Sequence, residues 1–263
     1  MDARNPARVP GPVRICLNFT MTPTPPSPGL VVNIAIPALK LSNFKLIAFD
    51  MDSTLINIEC VDEIADAAGR KAEVAAITEA AMRGEITDYK DSLRRRVALL
   101  KGVSVASMEE VLNHRLKLNP GASDLVAACR KVGMTTLLVS GGFTFFTDRV
   151  RDRLMIDATR SNVLEIESGP RGDVLTGRMV NQHWGDICDG EEKRRMLIQT
   201  CASNGIHPRY AIAMGDGAND LPMMSVAGLS VAYHAKPKVR EQAMVAINSG
   251  GLDRLLEVLT PPA

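Results

Sequence analysis

The sequence predicts an α/β protein in which a doubly wound, mostly parallel β-sheet carries a small all-helical domain inserted after the first strand. Two observations lead to this prediction. From residue 44 onward, short apolar runs alternate with segments of helical periodicity, which is typical of parallel sheets with right-handed crossovers. The interval 58–118 breaks this alternation, because it contains only helical signals.

Five apolar runs are predicted as buried parallel strands, since such strands are covered on both faces and are apolar almost throughout. They lie at 44–49, 135–139, 210–214, 229–233 and 244–248. Helical patterns occur at 121–133, 144–155, 191–205 and 236–244. Residues 173–180, with Gly177 at their centre, are predicted to form a small hairpin.

The helical interval is divided by glycines at 69, 84 and 102, and "SMEE" at 107–110 is predicted to be the capping box of a further helix. Ligands of open α/β sheets bind beyond the carboxyl ends of the strands, so a helical insert that begins there would cover the site. We therefore predict a cap at 58–118 on a core formed by 44–57 and 119–263.

The first 43 residues differ in composition from the rest, because they contain eight of the fifteen prolines. The run "TPTPPSP" at 22–28 disfavours both helix and strand. Residues 1–43 are therefore predicted to be a Pro-rich tail that is largely disordered. Within it, the apolar segment 30–39 is a candidate to pack on the core.

The overall composition is that of an ordinary soluble globular protein, with 263 residues of which 46% are hydrophobic and a net charge of +1. This balance lacks the broad positive field that binds nucleic acid or an anionic membrane. No run of about 18 apolar residues is present to span a bilayer. The expected partner is therefore a small molecule, and the protein is expected to be a monomer or a homodimer.

The five cysteines form no CxxC pair and are odd in number, which argues against a disulfide framework and against a cysteine zinc site. The N-terminal arginines are not followed by a continuous apolar segment, so a secretory signal is not predicted. These features favour reduced thiols in a cytoplasmic protein.

Polar clusters follow three of the predicted strands. "DMDST" follows 44–49, "SGG" follows 135–139 and "GDGAND" follows 210–214. Because the carboxyl ends of parallel strands meet at one edge of a sheet, these loops are expected to converge there. Four carboxylates would then share a small volume: Asp50, Asp52, Asp216 and Asp220.

Carboxylates crowded in this way repel one another, so a cation is expected among them. All-oxygen ligands without a nearby histidine suit Mg²⁺ better than zinc or copper. Neither loop has the ligand spacing of an EF-hand, which excludes that type of calcium site.

A phosphate group would account for the remaining polar residues of these loops. Ser140, the adjacent Gly141 amide and Lys193 offer the donors and the positive charge that a phosphate needs. A carboxylate that faces a bound phosphate can attack it and form an aspartyl-phosphate. A second carboxylate can protonate the leaving alkoxide and then accept a proton from water. We therefore expect Asp50 to be the nucleophile and Asp52 to carry protons.

Single motifs, taken alone, also allow other interpretations. The aspartates could be a polar strand end or a helix N-cap. Ser140 is not the nucleophile of a G-x-S-x-G elbow, because position 138 is Leu where that motif needs Gly. The loop "GDGAND" is not a dinucleotide-binding fingerprint, because its sixth position is Asp220 where that motif has its third glycine. A phospho-aspartate signalling module uses similar groups, but a water-activating Asp52 and a cap both argue against a stable acyl-phosphate.

Taken together, "DMDST", "SGG", the lysine of "EEKRR" and "GDGAND" resemble the four motifs of the haloacid dehalogenase-like phosphatases, over roughly 44–258. The segments "IECVDEIADAAG", "ITEAAMRGEI" and "SLRRRVALLKG" are similar to the cap of those members that hydrolyse O-phospho-L-serine. The resemblance implies a Rossmann-like core, a Mg²⁺ cofactor and an aspartyl-phosphate intermediate.

The resemblance also implies roles for individual residues. For catalysis and metal binding it implies Asp50 as nucleophile and metal ligand, Asp52 as general acid/base that lends its backbone carbonyl to the metal, Asp216 as a further metal ligand and Asp220 in support. For substrate binding it implies Ser140, Gly141 and Lys193 around the phosphoryl group, Asn219 orienting it, Glu59 at the ammonium and Arg96 at the carboxylate.

The arginine run at 94–96 supports one of these roles independently. At 100° per residue, Arg95 points nearly opposite to the apolar stripe that contains Leu93 and Val97, whereas Arg96 lies about 60° from Leu93. Arg95 is therefore expected in solvent. Arg96 needs an anionic partner, which a substrate carboxylate or a structural ion pair with Glu59 could supply.

The function predicted from these features is Mg²⁺-dependent hydrolysis of O-phospho-L-serine to L-serine and phosphate, the last step of L-serine biosynthesis. Two alternatives use the same motifs. One is transfer of the phosphoryl group from phosphoserine to homoserine. The other is hydrolysis of a different small phosphomonoester.

Overall fold

The structure, a computed structural model, describes residues 27–33, 39–83, 85–170 and 172–259. Most of the predicted Pro-rich tail, 1–26 and 34–38, lies outside the described residues. Residues 30–32 form a short strand that pairs antiparallel with the last strand of the sheet, with Leu30 opposite Ile247.

The described strands form one eight-stranded sheet in the order β1-β8-β7-β6-β2-β3-β4-β5. Their bounds are β1 Leu30–Val32, β2 Leu46–Phe49, β3 Thr135–Phe143, β4 Ala158–Gly169, β5 Gly172–Val180, β6 Ala211–Gly215, β7 Leu229–Tyr233 and β8 Val245–Ile247. The six strands from β8 to β4 run parallel, whereas β1 and β5 are antiparallel to their neighbours. The predicted doubly wound, mostly parallel sheet is confirmed.

Ten α-helices accompany these strands in the described ranges. They are α1 Cys60–Ala67, α2 Lys71–Met82, α3 Tyr89–Ala98, α4 Val105–Glu110, α5 Ala122–Lys131, α6 Thr144–Leu154, α7 Gly190–Ser203, α8 Leu221–Val226, α9 Pro237–Gln242 and α10 Leu255–Val258. No helix in the described ranges is both long enough and apolar enough to cross a membrane.

The central strands bury both of their faces, which explains their continuous apolar sequences. In β2, Ile47 and Phe49 pack with α5, α6 and α10, whereas Leu46 and Ala48 pack with α7, α8 and α9. The first of these two cores also contains Leu93 of α3. The helical region α1–α4 therefore shares its apolar face with the sheet domain.

The two connections to the helical region run side by side. Ile56 and Leu118 form an antiparallel bridge. The side-chain amide of Asn119 donates to the carbonyls of Thr54 and Ile56 at 2.8 and 3.0 Å. These contacts anchor the start and the end of the insert at the carboxyl end of β2.

The hairpin predicted within 173–180 is wrong, because these residues are a single strand, β5, that pairs with the long strand β4. Strand β4 was not predicted, because its polar residues, among them Ser161 and Asn162, interrupt the apolar pattern although both are buried. Gly177 is not at a turn. It has a φ of +80°, and a Cβ there would lie 3.0 Å from the carbonyl oxygen of Ala98, so glycine allows β5 to approach the end of α3.

The capping box predicted at "SMEE" is also wrong. Helix α4 begins one turn earlier, and its N-cap is Ser104, whose hydroxyl accepts from the backbone N–H of Ser107 at 3.1 Å. The preceding chain pairs with β5, because Gly102 donates to the carbonyl of Leu175 and Leu175 donates to that of Val103, each at 2.8 Å. This tertiary pairing ends at Ser104 and fixes the start of the helix.

Candidate active site

The first loop of the site leaves β2 directly at Asp50. The backbone N–H of Asp50 still bonds to the carbonyl of Met214 in β6, at 2.9 Å. The chain then enters a turn over Met51–Leu55, in which Ser53 has a φ of 57°. Such a left-handed conformation at a non-glycine residue is strained and often marks a functional loop. Asp50 itself is only 5% exposed.

The second loop follows β6, the parallel neighbour of β2, and therefore lies beside the first. It brings Asp216 and Asp220 to the same edge. The Asp220 carboxylate accepts from the backbone N–H of Gly217 at 3.0 Å. A Cβ at Gly215 would lie 2.3 Å from that carboxylate, so the glycine makes room for Asp220 under the loop.

The third contribution comes from α7, which carries Lys193 beneath both loops. Asp189 caps this helix by accepting from the backbone N–H of Glu192 at 2.9 Å. The Lys193 side chain is completely buried. Its ammonium donates to one carboxylate oxygen of Asp50 and to one of Asp220, both at 2.6 Å. The lysine therefore joins the two carboxylates.

The carboxylates carry more negative charge than Lys193 can offset. Asp50, Asp216 and Asp220 each place a carboxylate oxygen within 4.8 Å of the others. Burial, followed by the charge of Asp220, raises the pKa of Asp50 well above its ordinary value. Burial, Asp220 and Glu59 raise the pKa of Asp216 to about 7. For Lys193, burial alone would lower the pKa, but its two carboxylate partners raise it.

Asp52 lies outside this group of three and has its own environment. Its two carboxylate oxygens accept from the backbone N–H of Cys60 at 3.1 Å and from the Cys60 thiol at 3.2 Å. Burial, followed by the nearby charge of Glu59, raises the pKa of Asp52 to about 7. A carboxyl group with this pKa can both give and accept a proton near neutral pH.

The "SGG" loop follows the buried part of β3. The Ser140 hydroxyl is buried and accepts from the backbone N–H of Gly142 at 2.8 Å. A Cβ at Gly142 would lie 3.3 Å from a carboxylate oxygen of Asp52, which shows how closely this loop approaches the first one. Asn219 lies nearby in the loop after β6, with its side-chain oxygen against Gly217.

Asn162, which was not predicted, holds this loop in place. Its side-chain amide donates to the carbonyl of Gly141 at 2.7 Å, and its side-chain oxygen accepts from the backbone N–H of Cys188 at 2.8 Å. Asn162 lies in β4, the strand that was not predicted. Because its burial is visible only in the folded protein, the sequence carried no signal for this role, although a buried amide needs such partners.

Helix α3 also contacts the site, through the side chain of Tyr89 at the "SGG" loop. Arg95 is 56% exposed, as predicted, and it pairs with Asp91 at 2.8 Å. Arg96 is partly buried, and its Nε has no hydrogen-bond partner among the described residues. Tyr89 lies two turns before Arg96, and its hydroxyl packs on the core loop, because a Cβ at Gly141 would lie 2.0 Å from it.

Glu59 lies at the start of α1, with part of its surface in solvent and its carboxylate partly desolvated beside the β2 loop, which raises its pKa. Its carboxylate accepts from the hydroxyl of Ser53 at 2.7 Å. No ion pair joins Glu59 to Arg96 in the described part of the chain, although the positive charge of Arg96 lowers the pKa of Glu59 against the stronger effect of burial. The structural ion pair considered from the sequence is therefore absent there.

The donor set fits a hard divalent cation. The three clustered groups are all carboxylates, and burial together with their mutual repulsion raises the pKa values of Asp50 and Asp216. An oxygen-only site of this kind suits a cation such as Mg²⁺. Lys193 and the "SGG" loop lie beside it, so an anion could be bound between the cation site and these donors.

Comparisons with known proteins agree with this geometry. The family described as haloacid dehalogenase-like hydrolase matches residues 47–225. A phosphoserine phosphatase from Polaromonas sp. is 78% identical, over 91% of this chain and 100% of that protein. A phosphoserine phosphatase from Albidiferax ferrireducens is 69% identical, over 92% of this chain and 100% of that protein.

Solved structures of phosphoserine phosphatases are also similar to this chain. A phospho-aspartyl intermediate analogue of phosphoserine phosphatase aligns with a TM-score of 0.74 at 34% identity, covering 82% of this chain and 99% of that one. An unliganded probable phosphoserine phosphatase from Vibrio cholerae aligns with a TM-score of 0.73 at 40% identity, covering 85% of this chain and 66% of that one.

Proposed function

The chain belongs to the haloacid dehalogenase-like hydrolases, and we propose that its reaction is the hydrolysis of O-phospho-L-serine to L-serine and phosphate. The observation that carries this proposal is the high identity to curated phosphoserine phosphatases along their whole length. The buried carboxylates and Lys193 supply the chemistry that such a reaction needs.

Asp50 is the nucleophile in this proposal. Lys193 bonds to one of its carboxylate oxygens and so fixes the orientation of the side chain. Attack of Asp50 on phosphorus forms an aspartyl-phosphate and breaks the bond between phosphorus and the serine oxygen. Mg²⁺, held by Asp50, Asp216 and the backbone carbonyl of Asp52 with Asp220 in support, would offset the negative charge of the carboxylates and of the phosphoryl group.

Asp52 is the general acid and then the general base. In the first step its proton passes to the leaving serine oxygen. In the second step it accepts a proton from the water that attacks the aspartyl-phosphate, and phosphate leaves. The pKa of about 7 supports both directions of transfer.

The substrate is bound at both of its ends. Ser140, the Gly141 amide and Lys193 hold the phosphoryl group, and Asn219 orients it. Arg96 binds the substrate carboxylate, which would satisfy its unpartnered Nε, and Glu59 binds the ammonium.

The helices of 58–118 act in this proposal as a cap over the core of 44–57 and 119–263. The contact of Tyr89 with the Gly141 loop supports this role. A small phosphomonoester needs such cover, because closing a site excludes bulk water from the reacting groups.

The biological setting belongs to the same proposal. The reaction is the last step of L-serine biosynthesis, and the protein is a cytoplasmic monomer or homodimer. The four cysteines in the described ranges are free thiols, which supports a reducing compartment.

Phosphate release from three related compounds tests the proposal. O-phospho-L-serine has both charged groups, phosphoethanolamine lacks the carboxylate, and 3-phosphoglycerate lacks the ammonium. We expect the first to be turned over much faster than the other two, with Mg²⁺ and not with EDTA. Equal turnover of all three would overturn the substrate, and no turnover with Mg²⁺ would overturn the reaction.

A further inference from the structure

The carboxyl group of Asp52 is held by a single neighbouring residue. Cys60 donates to one oxygen through its backbone N–H at 3.1 Å and to the other through its thiol at 3.2 Å. In the described ranges these are the hydrogen bonds that the Asp52 side chain makes. Because each carboxyl oxygen of Asp52 uses one of its own lone pairs to accept a hydrogen bond from Cys60, the plane of the carboxyl group is fixed.

Cys60 also connects the two parts of the site. It is the first residue of α1, directly after Glu59, whereas Asp52 belongs to the loop that leaves β2. The thiol is completely buried and donates to a carboxylate oxygen of Asp52 at 3.2 Å. The position of the acid/base group is thus tied to the first turn of the helical region.

We propose that Cys60 is a positioning residue for Asp52. Its thiol holds one carboxyl oxygen, so that the remaining lone-pair sites, where the transferred proton resides, face the serine oxygen in the first step and the attacking water in the second. The inference rests on the proposed function, since it assumes that Asp52 protonates the leaving alkoxide when the bond to phosphorus breaks.

The choice of substrate separates positioning from a merely structural role. The serine alkoxide is a poor leaving group and needs a proton, whereas p-nitrophenolate leaves without one. A misplaced Asp52 should therefore slow the first reaction much more than the second. The ratio kcat/KM is the appropriate quantity, because it reports the steps up to formation of the aspartyl-phosphate.

The variants are Cys60→Ala, Cys60→Val and Cys60→Ser. Alanine and valine remove the donor, and valine keeps most of the volume in case alanine leaves a cavity that unfolds the protein. Serine retains a donor. The matched control is Cys129→Ala, which removes a buried thiol of α5 that makes no hydrogen bond to the site in the described ranges.

We expect Cys60→Ala and Cys60→Val to lose about tenfold in kcat/KM for O-phospho-L-serine, as for one lost hydrogen bond to a charged group. With p-nitrophenyl phosphate the loss should stay below about twofold. Cys60→Ser should recover most of the activity, and Cys129→Ala should leave the ratio of the two substrates unchanged.

Equal losses with both substrates, or no loss with either, would overturn the positioning role while the wild type still hydrolyses phosphoserine. A wild type that does not hydrolyse phosphoserine would instead overturn the proposed function, and the inference with it.

Discussion

Two charged networks, one buried and one at the surface, have nearly the same bond lengths but very different surroundings. In the buried network, Lys193 lies 2.6 Å from both Asp50 and Asp220, and the three side chains are at most 7% exposed. In the surface network, Lys90 of α3 lies 2.8 Å from Asp186, with side chains that are 32% and 35% exposed.

The carboxylate beside the lysine has a lowered pKa in the surface network and a raised pKa in the buried network. Hydrogen bonding from Lys90 lowers the pKa of Asp186 below its ordinary value. For Asp50, burial and the neighbouring Asp220 outweigh Lys193, and the pKa is raised. The comparison shows that burial and crowding, not the distance to the cation, determine how the carboxylate behaves.

The largest effect is expected from removing the buried cation. Lys193→Met leaves two buried carboxylates without their partner, so we expect a free energy of unfolding lower by about 3–5 kcal/mol and phosphate release reduced at least 100-fold, roughly the scale of one lost electrostatic group. Denaturant unfolding and steady-state kinetics measure both. Lys90→Met is the matched control and should cost at most about 1 kcal/mol. Similar stability losses for the two variants would remove the distinction between the networks.

The two adjacent arginines of α3 give the next effect. Arg96→Ala should raise KM for O-phospho-L-serine by roughly 10- to 100-fold, because a charge-assisted contact to the substrate carboxylate is lost. Arg95→Ala removes an exposed pair and should change KM less than about twofold. With phosphoethanolamine, which has no carboxylate, Arg96→Ala should have little effect. A large effect there would mean that Arg96 does not bind the carboxylate.

The stability of the buried carboxylates should also depend on pH and on a bound divalent cation. Asp52 and Asp216 have pKa values of about 7 in the folded protein, well above those of ordinary carboxyl groups in an unfolded chain. The native state therefore binds more protons between about pH 4 and 7, and its stability falls as pH rises through this interval. A bound divalent cation favours the ionised carboxylates and should oppose the fall.

Thermal unfolding in EDTA and in Mg²⁺ checks this expectation. In EDTA, Tm should decrease by several degrees from pH 5 to pH 8, and Mg²⁺ should raise it more at the higher pH. Asp216→Asn should flatten the dependence. A Tm that rises with pH in EDTA would contradict the raised pKa values.

The smallest effect is expected in the surface network. Arg94 pairs with Asp186 at 2.5 Å with a side chain that is 52% exposed, so Arg94→Ala should lower the free energy of unfolding by less than about 1 kcal/mol. The difference should shrink further in about 0.5 M salt. Denaturant unfolding at two salt concentrations measures it, and a loss that salt does not reduce would indicate a packing role for the side chain.

The sequence was sufficient to predict five of the parallel strands, β2, β3, β6, β7 and β8, and the convergence of the loops that follow β2, β3 and β6. Strands β2 and β6 are apolar on both faces because both faces are buried, and their polar ends could be placed together because they are parallel neighbours. Arg95 and Arg96 were distinguished by helical periodicity alone, since solvent and core lie on opposite sides of α3.

The parts that were missed depend on contacts between distant segments. The buried polar residues of β4 have partners elsewhere, such as Thr147 for Ser161 at 2.7 Å, so the strand has no apolar pattern. The start of α4 is fixed by pairing with β5. The bond from the Cys60 thiol to Asp52 arises only when α1 folds back on the β2 loop, and no local pattern indicates it.

The central claim is that the phosphoryl group passes through Asp50, and trapping the intermediate tests it most directly. Radiolabelled O-phospho-L-serine is mixed with the protein and Mg²⁺, the reaction is quenched in acid, and the labelled peptide is identified. We expect the label on the peptide that contains Asp50, and neither label nor turnover in a folded Asp50→Asn variant. Continued turnover by that variant, or a label on another residue, would contradict the account.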